Sequence, residues 1–141
     1  MLDYKVIEKG REMVIQRKVT ERDASLNYGS GKVENLFATP RLVAMMIEAS
    51  SMLVDNDLPE GFVSVGKHVE VDHFKPTMLG GTVSVTVKVE ESDEAKVVLK
   101  MDAYDEVGKI GEGKHIRYIV NYAKLQERAA ERESEIHQPE Y

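Results

Sequence analysis

The sequence predicts an α+β domain in which one long buried helix is wrapped by a curved antiparallel sheet. Three observations predict it: a single strongly apolar helical stretch, several later segments in which valines alternate with polar residues, and short turns between those segments. Short turns join antiparallel neighbours. A sheet with one apolar face must then curl around the one apolar helix available to it.

Residues 11–19 open the pattern as a first strand, and residues 20–38 follow as a polar loop punctuated by Gly29-Ser30-Gly31. Thr39-Pro40 signals a helix start, because threonine can cap an N-terminus and proline is pre-shaped for the first helical position. From Leu42 to Val54 apolar residues fall on almost every face, which predicts burial. The helix should stop near Asp55-Asn56-Asp57, ahead of Pro59 and Gly61. In the second half, alternation with period two places Val63, Val65, Val69, Val71 and His73 on one face. Residues 82–89 repeat the pattern with Val83, Val85, Val87 and Val89, and Val97, Leu99, Met101 and Ala103 repeat it again. A last strand is expected near Lys114 to Tyr122. The domain is expected to occupy residues 1–126, with residues 127–141 a charged tail; the segment from Gln126 should fray after a helical turn or two.

Composition narrows the function. The chain of 141 residues is long enough for one core, and its 25 acids against 19 bases leave a net charge of −6. No basic stripe marks a nucleic-acid binder, since local clusters such as Arg11 to Lys18 are interleaved with acids, although a handful of local cations would suffice for an anionic cofactor. No run of eighteen apolar residues suggests a membrane span, and Met1 to Lys5 lacks the pattern of a signal peptide. With no cysteine there is neither a disulfide nor a thiolate nucleophile, and a soluble cytoplasmic protein is the expectation.

The residues able to do chemistry are few. His73 points with the valines toward the helix, at a strand end that runs into Phe74-Lys75-Pro76-Thr77, while His68 points away. His115 is read with Arg117 on the less apolar face of its strand, and His137 lies in the tail. Thr39 reads first as a cap, but a helix N-terminus also offers free N–H groups that can hold an oxyanion. Glu48 is an acid inside the apolar helix and needs either a site or a subunit interface to justify it. Phosphate-loop, zinc-protease and nucleophile-elbow motifs are missing, as are clustered metal ligands.

Taken together, Gly29-Ser30-Gly31, Phe37-Ala38-Thr39-Pro40, the run Val65 to His73, Pro76-Thr77 and Gly113-Lys114-His115-Ile116-Arg117 resemble the hot-dog thioesterases of the fluoroacetyl-CoA thioesterase type. The likeness spans roughly residues 10–125. It implies a homodimer, or a tetramer of such dimers, that binds acyl-CoA at the subunit interface. It also implies hydrolysis to a carboxylate and free CoA, with no metal and no cofactor beyond the coenzyme A of the substrate. Thr39 matches the family's active-site threonine, His73 its histidine acid or base, Gly66 a glycine lining the acyl site, and Arg117 an arginine near the ligand. The family's glutamate, eight residues after the threonine, is here Ile47. Glu48 follows it, about 100° further round the helix. That displacement leaves a non-catalytic module binding acyl-CoA or a hydrophobic acid as the alternative, with acyl hydration or dehydration on the same fold a third reading.

Overall fold

The structure is a computed structural model and describes residues 7–136. Its elements run β1 (Glu12–Lys18), two 3₁₀ turns (Glu21–Asp23 and Ser25–Asn27), α1 (Thr39–Asp55), β2 (Phe62–His73), β3 (Thr82–Ser92), β4 (Lys96–Tyr104), β5 (Lys109–Asn121) and α2 (Tyr122–Ile136). The five strands form one antiparallel sheet in the order β1-β3-β4-β5-β2. As the alternation predicts, Val83, Val85, Val87, Val89, Val97, Leu99, Met101 and Ala103 are buried on the concave face. They meet Leu42, Met45, Met46, Ala49, Leu53 and Val54 of α1.

The helix is less enclosed than its composition suggests. Ala44, Glu48 and Met52, four residues apart on one side, are exposed. Among the described residues no helix is long and apolar enough to cross a membrane.

Three expectations change. First, β2 carries a bulge: Gly66 pairs with Arg117 and His68 with Ile116, leaving Lys67 as an extra residue. A bulge reverses the side-chain parity of a strand. Ser64, Gly66, Val69, Val71 and His73 therefore face α1, while Val63 and Val65 turn to the convex face. Second, His115 and Arg117 lie on the concave face, opposite Leu99 and Val97, and are 2% and 6% exposed. Third, the chain beyond Gln126 does not fray after a turn or two, because α2 continues to Ile136 with no buried residue. His137 lies outside the described residues.

Candidate active site

Thr39 stands at the first turn of α1, but the residue ahead of it, Ala38, occupies the cap position, and no side chain caps the helix. The Thr39 hydroxyl is directed elsewhere. Its Oγ1 lies 2.7 Å from His73 Nδ1, across a sequence separation of 34 residues. With the proton of the neutral ring on Nε2, the hydroxyl donates to Nδ1.

Two close approaches bring these residues together. Gly111 on β5 is paired with His73, and a Cβ there would lie 3.1 Å from Leu42 Cδ2 and 2.8 Å from Asp72 O. Glycine thus lets the first turn of α1 settle on the end of β2. The turn after His73 is then pinned by Phe74 N and Lys75 N, both donating to Ile110 O at 2.9 and 3.2 Å. Thr77 completes the frame. Its hydroxyl donates to Asp105 Oδ2 at 2.7 Å, and its carbonyl accepts from Phe37 N at 2.8 Å, two residues before Thr39. Burial pushes the Asp105 carboxyl up, but the hydrogen bonds from Thr77, Val107 and Gly108 outweigh it and hold the group below the usual carboxylate value.

The His73 ring is held below the ordinary histidine value by burial, against a smaller upward push from a backbone hydrogen bond at Lys75. It is therefore neutral near pH 7 and able to accept a proton. Phe37 packs edge-on against it at 6.2 Å between centroids. The Nε2 atom is buried and makes no hydrogen bond of full geometry, the backbone at Lys75 being its only weak partner. A buried donor held this weakly is able to take a stronger acceptor. Alongside lies a cleft of about 300 Å³ lined by Val33, Leu36, Phe37, Thr39, His73 and Phe74 among others. A helix N-terminus at its edge adds positive potential and the N–H of Thr39.

The other sequence candidates lie elsewhere. Glu48 is nine residues along α1 from Thr39, about 13 Å of helical rise. Its carboxylate accepts from Arg17 Nη2 at 2.6 Å on the β1 side. Ile47, at the position expected for the acid, is half-buried.

Gly66 and Arg117 belong to a second cluster at the opposite end of α1. There Arg117 donates through Nε to Ser64 Oγ and through Nη2 to Ser64 O, both at 2.7 Å. Its Nη1 donates to His115 Nε2 at 3.1 Å, and His115 Nδ1 donates to His68 O at 2.9 Å. Ser64 donates from both N and Oγ to Asp55 Oδ1. Burial, with Arg117 adding to it, lowers the His115 pKa, while the His68 hydrogen bond partly opposes the shift. Gly66 is small for a visible reason: a Cβ there would lie 3.0 Å from His115 Cε1. Reading the sequence missed Ser64, Asp55 and Asp105. A glycine within a strand, here Gly66, was the available signal for the bulge that turns Ser64 inward.

Comparison with known proteins agrees with this architecture. A sequence profile for the family described as fluoroacetyl-CoA-specific thioesterase matches residues 19–123. The fluoroacetyl-CoA thioesterase of Streptantibioticus cattleyicolor is 30% identical over 90 residues, which are 64% of this chain and 65% of that protein, just under two thirds of its length. A hot-dog-like protein from Thermanaerovibrio acidaminovorans superposes with a TM-score of 0.83 at 32% identity, covering 89% of this chain and 93% of the other. A thioesterase superfamily member from Thermus thermophilus superposes with a TM-score of 0.86 at 26% identity, covering 93% and 96%. The fold is the hot-dog fold.

Proposed function

This chain belongs to the fluoroacetyl-CoA-specific thioesterase family, and from that membership we propose that it hydrolyses a small or medium acyl-CoA to a carboxylate and free CoA, with Thr39 and His73 at the reaction centre. The observation that carries the reading is the 2.7 Å contact between Thr39 Oγ1 and His73 Nδ1 beside an open cleft.

A hydroxyl already hydrogen-bonded to a neutral imidazole is a nucleophile in contact with its base. As Thr39 Oγ attacks the thioester carbonyl, its proton passes to His73 Nδ1. The C–S bond then breaks and the departing CoA sulfur takes that proton. Water, deprotonated by the same ring, releases the carboxylate from Thr39. At this helix start Pro40 has no N–H, Ala38 N donates to Asp23 O and Arg41 N to Ala38 O, so the amide of Thr39 is the one available to the oxyanion. The reading calls on no metal and on no cofactor beyond the CoA of the substrate.

We also propose a homodimer joined along β2, with the acyl end of the acyl-CoA near the seam. β2 is an edge strand of 12 residues with Val69 39% exposed, and an open edge of that length is a template for a second copy. Light scattering at twice 15.9 kDa would agree, and a monomer would remove the interface site. A cytoplasmic location is proposed on the strength of a chain without cysteine.

One observation favours binding without turnover: Ile47 replaces the family's acid, and Glu48 is engaged by Arg17. A free-thiol assay against acyl-CoAs from acetyl to palmitoyl separates the two readings. Thiol release from a member of the series supports the esterase. Silence from folded dimer that is nevertheless stabilised by the same compounds supports the binding module.

A further inference from the structure

A second cleft, also of about 300 Å³, lies on the β1 side of α1, and the chemistry above makes no use of it. Arg17, Lys18, Arg22 and Arg41 line it, with Asp23 and Glu48 the acids among its lining residues. In a chain of net charge −6, this is a local excess of two cations over acids. Val19, Phe37 and Met45, each less than 7% exposed, are its buried apolar lining.

The sequence places a cation here against the pattern of its strand. Arg17 pairs with Val83 in register with Met13 and Ile15, so it takes a concave-face position otherwise given to apolar residues. Its guanidinium is fixed by Glu48 at 2.6 Å, and that of Arg41 by Asp23 at 2.9 Å. Burial raises the Asp23 pKa, but hydrogen bonds from Thr20 and Arg41 outweigh it, leaving the carboxylate below its usual value and ionised. Both acids are thus occupied. Among the described residues, Arg22 has no carboxylate partner, while Lys18, next to Arg17 on β1, takes the convex face.

The cleft adjoins the reaction centre. Phe37 lines both cavities, Arg41 is two residues from Thr39 in the first turn of α1, and Ala38 N donates to Asp23 O at 2.8 Å. A molecule held at Thr39 by one end can therefore lay an anionic end across the Asp23–Ala38 junction into this cleft. We propose that Arg22, on a frame set by Arg17 and Arg41, receives the phosphates at the nucleotide end of coenzyme A.

Guanidinium and ammonium groups suit phosphate oxygens, and a local positive potential is what a polyanion needs to approach an acidic protein. The inference rests on the acyl-CoA reading and specifies where the carrier, rather than the acyl group, is recognised.

The test compares an acyl-CoA with the same acyl group on N-acetylcysteamine, a thioester without the nucleotide. Arg22→Glu, at an exposed position, should lower the ratio of kcat/KM for the two substrates about tenfold and flatten its dependence on ionic strength. Lys124→Glu on α2, with the same change of charge, should leave the ratio as it is. Calorimetry with adenosine 3′,5′-bisphosphate should show binding that weakens in Arg22→Glu. An unchanged ratio in Arg22→Glu would overturn the cleft while leaving the esterase intact. Equal competition by inorganic phosphate would also overturn it, reducing the cleft to a general anion patch. A wild type that turns over neither thioester and binds no free CoA would instead remove the acyl-CoA reading itself.

Discussion

The concave face of the sheet carries two histidine-centred polar clusters, one at each end of α1. At the C-terminal end, Asp55, Ser64, His115 and Arg117 form a chain of hydrogen bonds in which both nitrogens of the imidazole have partners. At the N-terminal end, Thr39 and His73 share one bond and Nε2 of the ring is left buried with only a weak backbone partner at Lys75. Both rings sit below the ordinary histidine value because burial disfavours their charge. Titration does not separate them, but satisfaction does. A fully paired buried network has nothing left to offer a ligand, and a half-paired one beside a cleft does. The comparison assigns structure to one end of the helix and chemistry to the other, and substitutions at each end should fail in different assays.

The largest effect should come from the N-terminal end. His73→Ala and Thr39→Ala should each lower kcat by at least about 100-fold, the scale of a lost base or nucleophile, with little change in the thermal midpoint. Calorimetry alongside the kinetics checks both halves. At the other end, Arg117→Met strands Ser64, His115 and Asp55. It should cost about 3 kcal/mol in a urea unfolding experiment, lowering activity only as far as the folded fraction falls. A variant of Arg117 that is fully stable yet inactive would break the comparison.

Next in size is the frame. Thr77→Val removes the hydrogen bond to Asp105 that holds the turn after His73. It should lower kcat by about tenfold with KM nearly constant, and Thr77→Ser should restore it. Smaller again is the pH response. Both histidines have folded values below the unfolded 6.5, so the unfolded chain binds more protons as the pH drops. Stability is therefore complete above about pH 6.5 and is lost progressively as the pH falls below it. Urea midpoints at several pH values would show the slope, and His115→Gln should flatten it. Smallest is Glu48→Gln. An exposed ion pair with Arg17 contributes under about 1 kcal/mol, and with Glu48 away from His73 its loss should leave kcat within about twofold.

The sheet and α1 were legible because valine alternation and an apolar helix survive any tertiary detail. The site was half legible. Thr39 and His73 could be named singly, but their contact depends on Gly111 admitting Leu42, a fact of close packing that no period reveals. The cap reading of Thr39 gave way because its hydroxyl found a ring nitrogen instead of a backbone amide. The bulge at Lys67 moved Val63 and Val65 off the face that strict alternation assigned them. On β5 the glycines 111 and 113, with His115 and Arg117, occupy the concave side while Ile116, Tyr118 and Val120 take the other. Polar residues therefore held the buried face, and apolarity pointed the wrong way.

The most direct test is an NMR titration of the ring nitrogens with a non-hydrolysable thioether analogue of an acyl-CoA. The account predicts that His73 Nε2 shifts on binding while His115 stays where it was. Movement of His115 with His73 silent would contradict it, placing the ligand at the other end of α1.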